Sequence, residues 1–192
     1  MTDSTHHTLV AVALRVRSGR LHALVSRVQR RPRESLDAAL GRAVDVGSLA
    51  HVEQLETRIL RDGSLATVYL GLVHADAELD PAGEAPSSRD DRELVGVAQA
   101  RLRAKLSYTN LAVALAPATF TISELRELYV AVLGYDVSAT NLQRVLLRRG
   151  AIERVGDHRP SGRAGGRPAA LFRFVSHRLT VTDEFAALGP PR

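Results

Sequence analysis

Residues Phe120–Gly150 read FTISELRELYVAVLGYDVSATNLQRVLLRRG. The opening Thr121-Ile122-Ser123-Glu124 has the form of a capping box. The threonine hydroxyl can accept from the amide of Glu124 while the glutamate carboxylate reaches back to the amide of Thr121, so a helix begins here. Ile122, Leu125, Leu128, Tyr129 and Val132 fall three or four apart and define one apolar face. Gly134 ends that helix, because glycine takes the left-handed conformation of a C-cap at little cost. Tyr135-Asp136-Val137 forms the connection. Ser138 then caps a second helix, with Leu142, Val145 and Leu146 on its inner side and Gly150 at its end. Two short helices across so tight a turn are the signature of a helix-turn-helix.

Downstream, Ala151–Val155 and Ala169–Val175 are strand-like, and the segment 156–168 between them is rich in glycine and arginine. A basic hairpin after a helix-turn-helix is a wing. In this arrangement the second helix lies in the major groove and the wing meets phosphates or the minor groove. The candidate DNA contacts are therefore Ser138, Thr140, Asn141, Gln143, Arg144 and Arg148 on the helix and Arg159, Arg163 and Arg167 in the wing. Asparagine can pair bidentately with adenine and arginine with guanine, each good pair contributing about 1 to 3 kcal/mol of discrimination. Charge points the same way. Residues 138–178 hold nine arginines against Glu153 and Asp157, whereas the whole chain has a net charge of +5, so the positive excess is concentrated at one end.

Upstream, Thr8–Arg15 and Leu21–Val28 alternate or run apolar around Ser18-Gly19, which predicts a β-hairpin. A short helix is expected around Ala39, closing near Gly47. His51–Leu60 and Leu65–His74 flank the turn-forming cluster Arg61-Asp62-Gly63-Ser64 and predict a second hairpin. Asp76–Arg92 collects Asp, Glu, Pro, Gly and Ser and reads as a linker or exposed loop. Helical spacing resumes over Asp91–Leu106 and continues in a short helix from Asn110 to Leu115. The expected fold class is α+β. An N-terminal α/β domain over 1–80 and a linker over 81–92 precede a C-terminal winged helix-turn-helix domain over 93–192.

Composition closes off other chemistries. The chain has no cysteine, which excludes disulfides, thiolate nucleophiles and cysteine-based metal sites. Its histidines show no ligand spacing, and there is no Walker-type or G-x-G-x-x-G loop. No stretch approaches the roughly 20 apolar residues of a membrane span, and Met1–His7 is polar, so a cytoplasmic protein without membrane association is expected.

The order of segments resembles a known family. Lys105-Leu106-Ser107-Tyr108-Thr109, then Phe120–Tyr129, Val132-Leu133-Gly134 and Gly166–Phe174 are similar to the winged-helix half of the Nudix-related transcriptional regulators. The resemblance implies a Nudix-fold domain in front of the winged helix, a homodimer on double-stranded DNA, repression of operons of NAD metabolism, and an ADP-ribose-like nucleotide effector. Hydrolysis in that fold requires the pattern G-x5-E-x7-R-E-U-x-E-E-x-G-U, whose glutamates hold magnesium, a cation that demands oxygen ligands. With Glu34 at the first glutamate, Arg42 and Val44 match, but the remaining glutamate positions fall on Ala43, Val46 and Gly47 and the leading glycine on Val28. The N-terminal domain is thus expected to be degenerate, with no catalytic residue, no metal and no cofactor. Glu34 and Arg42 are expected to serve as a helix cap and an ion pair. The competing reading is a protein-interaction or nucleotide-binding module without DNA binding, which a winged-helix fold by itself does not exclude.

Overall fold

The structure, a computed structural model, describes residues 7–77, 83–159 and 169–182, with the backbone alone at 157–159. The chain divides into two compact units. One is built from the chain up to Arg15 and from Leu21–Arg101, the other from Val16–Arg20 and the chain from Leu102 onward.

In the first unit a four-stranded sheet has the order β2-β1-β4-β3, formed by β1 (His7–Arg17), β2 (Arg20–Gln29), β3 (Leu49–Ile59) and β4 (Leu65–Val73). The turn between β1 and β2 has φ of 50° at Ser18 and 68° at Gly19, the left-handed pair that a two-residue hairpin requires. Asp62 organises the β3–β4 turn by accepting from the Ser64 amide at 2.9 Å and its hydroxyl at 2.6 Å. The central strands β1 and β4 run parallel, Val10 beside Val68 and Val12 beside Leu70. Both faces of these two strands are buried, which explains why they read as near-continuous apolar runs.

Helix α1 (Leu36–Ala43) covers one face: Ala39, Leu40, Ala43 and Val44 pack with Leu9, Ala11 and Tyr69. Its N-cap is Ser35, whose hydroxyl accepts from the Ala38 amide at 3.1 Å, so the capping role expected of Glu34 falls one residue later. Serine's short side chain reaches the first-turn amides from that position. The expected ion pair is present. Arg42 places Nε 2.8 Å from Glu34 Oε1 and Nη2 2.8 Å from Oε2, a bidentate fork that ties the end of α1 to the residues before it.

Helix α2 (Arg89–Tyr108) contributes its first turns to this unit and its last turns to the second. It starts two residues before the expected Asp91 because Ser88 and Asp91 form a capping box of their own: Asp91 N donates to Ser88 Oγ at 3.0 Å, and Ser88 N to Asp91 Oδ2 at 2.8 Å. Within the expected linker, Glu84 pairs with Val25 on β2, and the division into units falls inside α2 rather than at residues 92 and 93. No helix among the described residues is long and apolar enough to cross a membrane.

The second unit contains α3 (Ile122–Leu133), α4 (Ala139–Arg148) and the two-stranded β5 (Ile152–Arg159) and β6 (Ala169–Phe174). The expected helix over Asn110–Leu115 is a single 3₁₀ turn, Leu111–Ala114. Asn110 is only 2% exposed, and its side chain is committed elsewhere. Its Nδ2 donates to the carbonyls of Ser176 at 3.2 Å and Arg178 at 2.8 Å, and its Oδ1 accepts from the Thr180 amide at 2.7 Å. Thr182 N donates to the Tyr108 carbonyl at 2.8 Å, so the segment 176–182 straps the end of α2.

Candidate nucleic-acid interface

The capping box of α3 is present as the sequence implies, with Glu124 N donating to Thr121 Oγ1 at 3.2 Å and Thr121 N to Glu124 Oε2 at 2.8 Å. The helix ends at Gly134 with φ 80°. Arginines brace the connection that follows. Arg103 Nε donates to the Val132 carbonyl and Arg126 Nε to that of Val137, each at 2.8 Å, while Arg126 also pairs with Asp136. The tight turn is thus held by guanidinium groups, one on a carbonyl that the end of α3 leaves without an intrahelical donor and one on the last carbonyl before the N-cap of α4. Tyr129 is fully buried in the unit's core, and desolvation pushes its hydroxyl pKa up.

Ser138 caps α4, its hydroxyl accepting from the Asn141 amide at 3.3 Å. Leu142, Val145 and Leu146 are buried at 0, 3 and 0% exposure. Each such side chain contributes about 1.5 to 3 kcal/mol by leaving water, which fixes the rotation of the helix about its axis. The opposite face is thereby turned outward. Ser138, Thr140, Arg144 and Arg148 are exposed, and Asn141 and Gln143 are half-buried on opposite flanks, so none of the six helix residues expected at DNA is buried in the core. Arg144 donates from Nη2 to Asn141 Oδ1 at 2.8 Å. The side chains of Asn141 and Arg144, both expected at base edges, are therefore oriented by each other.

The wing is longer in strand than expected. β5 was expected to end at Val155 but runs to Arg159, because a register shift between Val155 and His158 lets the ladder resume with Arg159 opposite Ala169. Such a bulge absorbs extra residues without ending the pairing. Arg159 therefore lies in a strand rather than in the loop, while Arg163 and Arg167 lie outside the described residues. The wing is anchored at its base by Phe120, which exchanges backbone bonds with Phe172 at 2.9 and 2.8 Å and packs its ring, tilted by 53°, with its centroid 5.2 Å from that of Phe174.

Not all of the local arginine excess faces outward to a partner. Arg149 donates to the Ser107 carbonyl at 3.1 Å, and Arg173 is paired across the wing with Glu153 at 2.7 Å. The sequence counted these two with the DNA-facing charge; nothing in local spacing distinguishes an arginine that braces a fold from one that meets phosphate.

In the first unit, the carboxylate set of a magnesium site is not assembled. Ala43 is buried, Val46 and Gly47 offer no side-chain oxygen, and no group of three or more His, Cys, Asp or Glu residues is placed to hold a metal among the described residues. Glu34 is held by Arg42, whose hydrogen bonds are the main reason its pKa falls to about 2, assisted by the Arg31 amide. A magnesium cofactor does not fit these residues.

Comparison with known proteins agrees with this geometry. Residues 112–174 match the model of the NrtR DNA-binding winged helix domain. Over 86 residues the chain is 36% identical to the ADPR responsive transcriptional repressor NtrR of Acinetobacter baylyi. The match takes in 45% of this chain and spans about a third of that relative, 33% of its length. Among solved structures, Shewanella oneidensis NrtR complexed with a 27mer DNA has a TM-score of 0.68 at 20% identity, covering 87% of this chain and 92% of that one. A MutT/nudix family protein from Enterococcus faecalis has a TM-score of 0.65 at 14% identity, covering 92% and 90%. At such identities the likeness is one of fold. The chain therefore carries an NrtR winged helix domain over residues 112–174 and has homology to an ADPR responsive repressor, within a mixed α+β architecture similar to NrtR and to a Nudix-family protein.

Proposed function

We propose that this chain is a sequence-specific DNA-binding transcription regulator, a repressor acting as a homodimer on a palindromic operator. The observation that carries the reading is the outward face of α4: its inner face is buried to completion while Ser138, Thr140, Arg144 and Arg148 stand exposed, inside the segment that matches a DNA-binding winged helix. The N-terminal unit serves dimerisation and senses an ADP-ribose-like nucleotide, a role motivated by the response to ADPR in the name of the Acinetobacter relative. It does not hydrolyse that nucleotide, since Ala43, Val46 and Gly47 stand where magnesium ligands are required.

The test is fluorescence anisotropy with a duplex selected by the full chain from a random library, beside an unrelated duplex of equal length. Arg144→Ala is expected to narrow the preference between the two by about 1 to 3 kcal/mol. Arg163→Ala with Arg167→Ala should weaken both alike and flatten the salt dependence. Absence of binding at low salt would refute the reading. With magnesium and ADP-ribose, turnover should not exceed that of buffer, while the nucleotide should shift DNA affinity.

A further inference from the structure

A cleft of 480 Å³ lies on one flank of α4, walled by the start of α3, by β5 and by β6. Ser123, Gln143 and Arg154 bring a hydroxyl, an amide and a guanidinium, and among the described residues no carboxylate lines it. Ile122, Leu147 and Ala170 add apolar lining, and Leu147 is 41% exposed. The walls are fixed relative to each other, because Phe120, just before α3, is hydrogen-bonded through its backbone to Phe172 of β6.

The cleft is continuous with the DNA-facing surface of α4 but displaced to one side. At about 100° per residue, Gln143 lies roughly 60° round the helix from Thr140, on the side away from Asn141. A helix seated in a groove turns such a flank towards the groove's wall, which is a sugar–phosphate strand, rather than towards base edges. Donors beside apolar side chains, without an acid among the described residues, complement that strand: an anionic phosphodiester beside the carbon face of deoxyribose.

We propose that this cleft seats one phosphodiester and its adjoining deoxyribose in each DNA half-site, Ser123, Gln143 and Arg154 donating to the phosphate and Ile122 and Leu147 lying against the sugar. The assignment rests on the DNA-binding reading above and deepens it. Gln143 becomes a positioning residue that sets the register of α4 in the groove, leaving base discrimination to Thr140, Asn141 and Arg144.

The experiment uses the full chain, the selected duplex and the unrelated one, and a set of selected duplexes each carrying a single neutral methylphosphonate. Arg154→Gln should weaken binding of both duplexes by the same factor, about three- to tenfold at low salt, and lower the slope of log K against log salt by about 1. Gln143→Ala should also act equally on both. With the unmodified chain, one methylphosphonate position per half-site should reproduce the Arg154→Gln loss, and combining it with that variant should add little. A change of sequence preference in Arg154→Gln or Gln143→Ala would overturn the proposal, because those residues would then be reading bases. So would unaltered affinity in Arg154→Gln alongside intact binding by the unmodified chain. If the unmodified chain binds neither duplex, the DNA-binding reading itself fails.

Discussion

Replacing Asn110 by alanine should loosen the C-terminal strap more than any surface substitution would. The side chain is 2% exposed and makes three hydrogen bonds, to the carbonyls of Ser176 and Arg178 and from the amide of Thr180. At a net value of about 1 kcal/mol for each bond, the loss is about 3 kcal/mol, because three backbone groups are left to find other partners. Hydrogen exchange is the suitable assay, since it reads this segment separately from the first unit. Where tenfold corresponds to about 1.4 kcal/mol, amides in 176–182 should exchange about 100-fold faster. Asn110→Asp is the sharper control. It keeps an acceptor for Thr180 but turns a carboxylate oxygen towards two carbonyls, which disfavours the charged form and raises its folded pKa. Its penalty should therefore be present at pH 7 and shrink as pH falls through that raised value. Exchange in Asn110→Ala within threefold of the unmodified chain, or wild-type behaviour of Asn110→Asp at neutral pH, would refute the account.

Two other perturbations follow from the same kind of argument. Burial pushes the carboxyl of Asp91 up, but bonds from the Ser88 amide and hydroxyl, from Arg27 and from the Ser87 amide outweigh it and hold its pKa well below the usual carboxylate range. With a folded pKa below the unfolded one, its contribution is complete above about pH 4 and fades as pH falls further. Denaturant titrations of the first unit from pH 7 to 2 should show this acid limb, and Asp91→Asn should be less stable by about 2 kcal/mol at pH 7 with a flatter limb. Gly134→Ala should cost about 1 kcal/mol by thermal melting of the second unit, from strain at φ 80° alone, because a Cβ there meets nothing nearer than Arg103 Nη2 at 3.7 Å; a neutral result would sink the C-cap argument.

What could be read from the sequence was local. The capping box at Thr121, the glycine at 134, the serine at 138 and the three leucine and valine positions inside α4 act within a few residues of each other, and together they fix which side of α4 faces out. Ser88 and Asp91 carry the same kind of signal, although acids at 90 and 91 also suit the first turn of a helix by their charge alone. What escaped was remote. Asn110 meets partners 66 to 70 residues away, Phe120 pairs with Phe172, and Arg149 caps a carbonyl 42 residues back; nothing in a window of sequence selects such partners. Gly156 and Asp157 resemble a turn in sequence, whereas the ladder accommodates them as a bulge and the strand continues.

The strap over residues 176–182 also bears on where this unit can be cut. The recognisable winged helix covers 112–174, yet Asn110 lies before it and every hydrogen-bond partner of that side chain lies after it. A fragment trimmed to the matched boundaries would keep α3, α4 and both wing strands but lose Asn110, its three partners and the Tyr108–Thr182 closure. The segment that matches the winged helix model is thus shorter than the set of residues whose hydrogen bonds hold it in place.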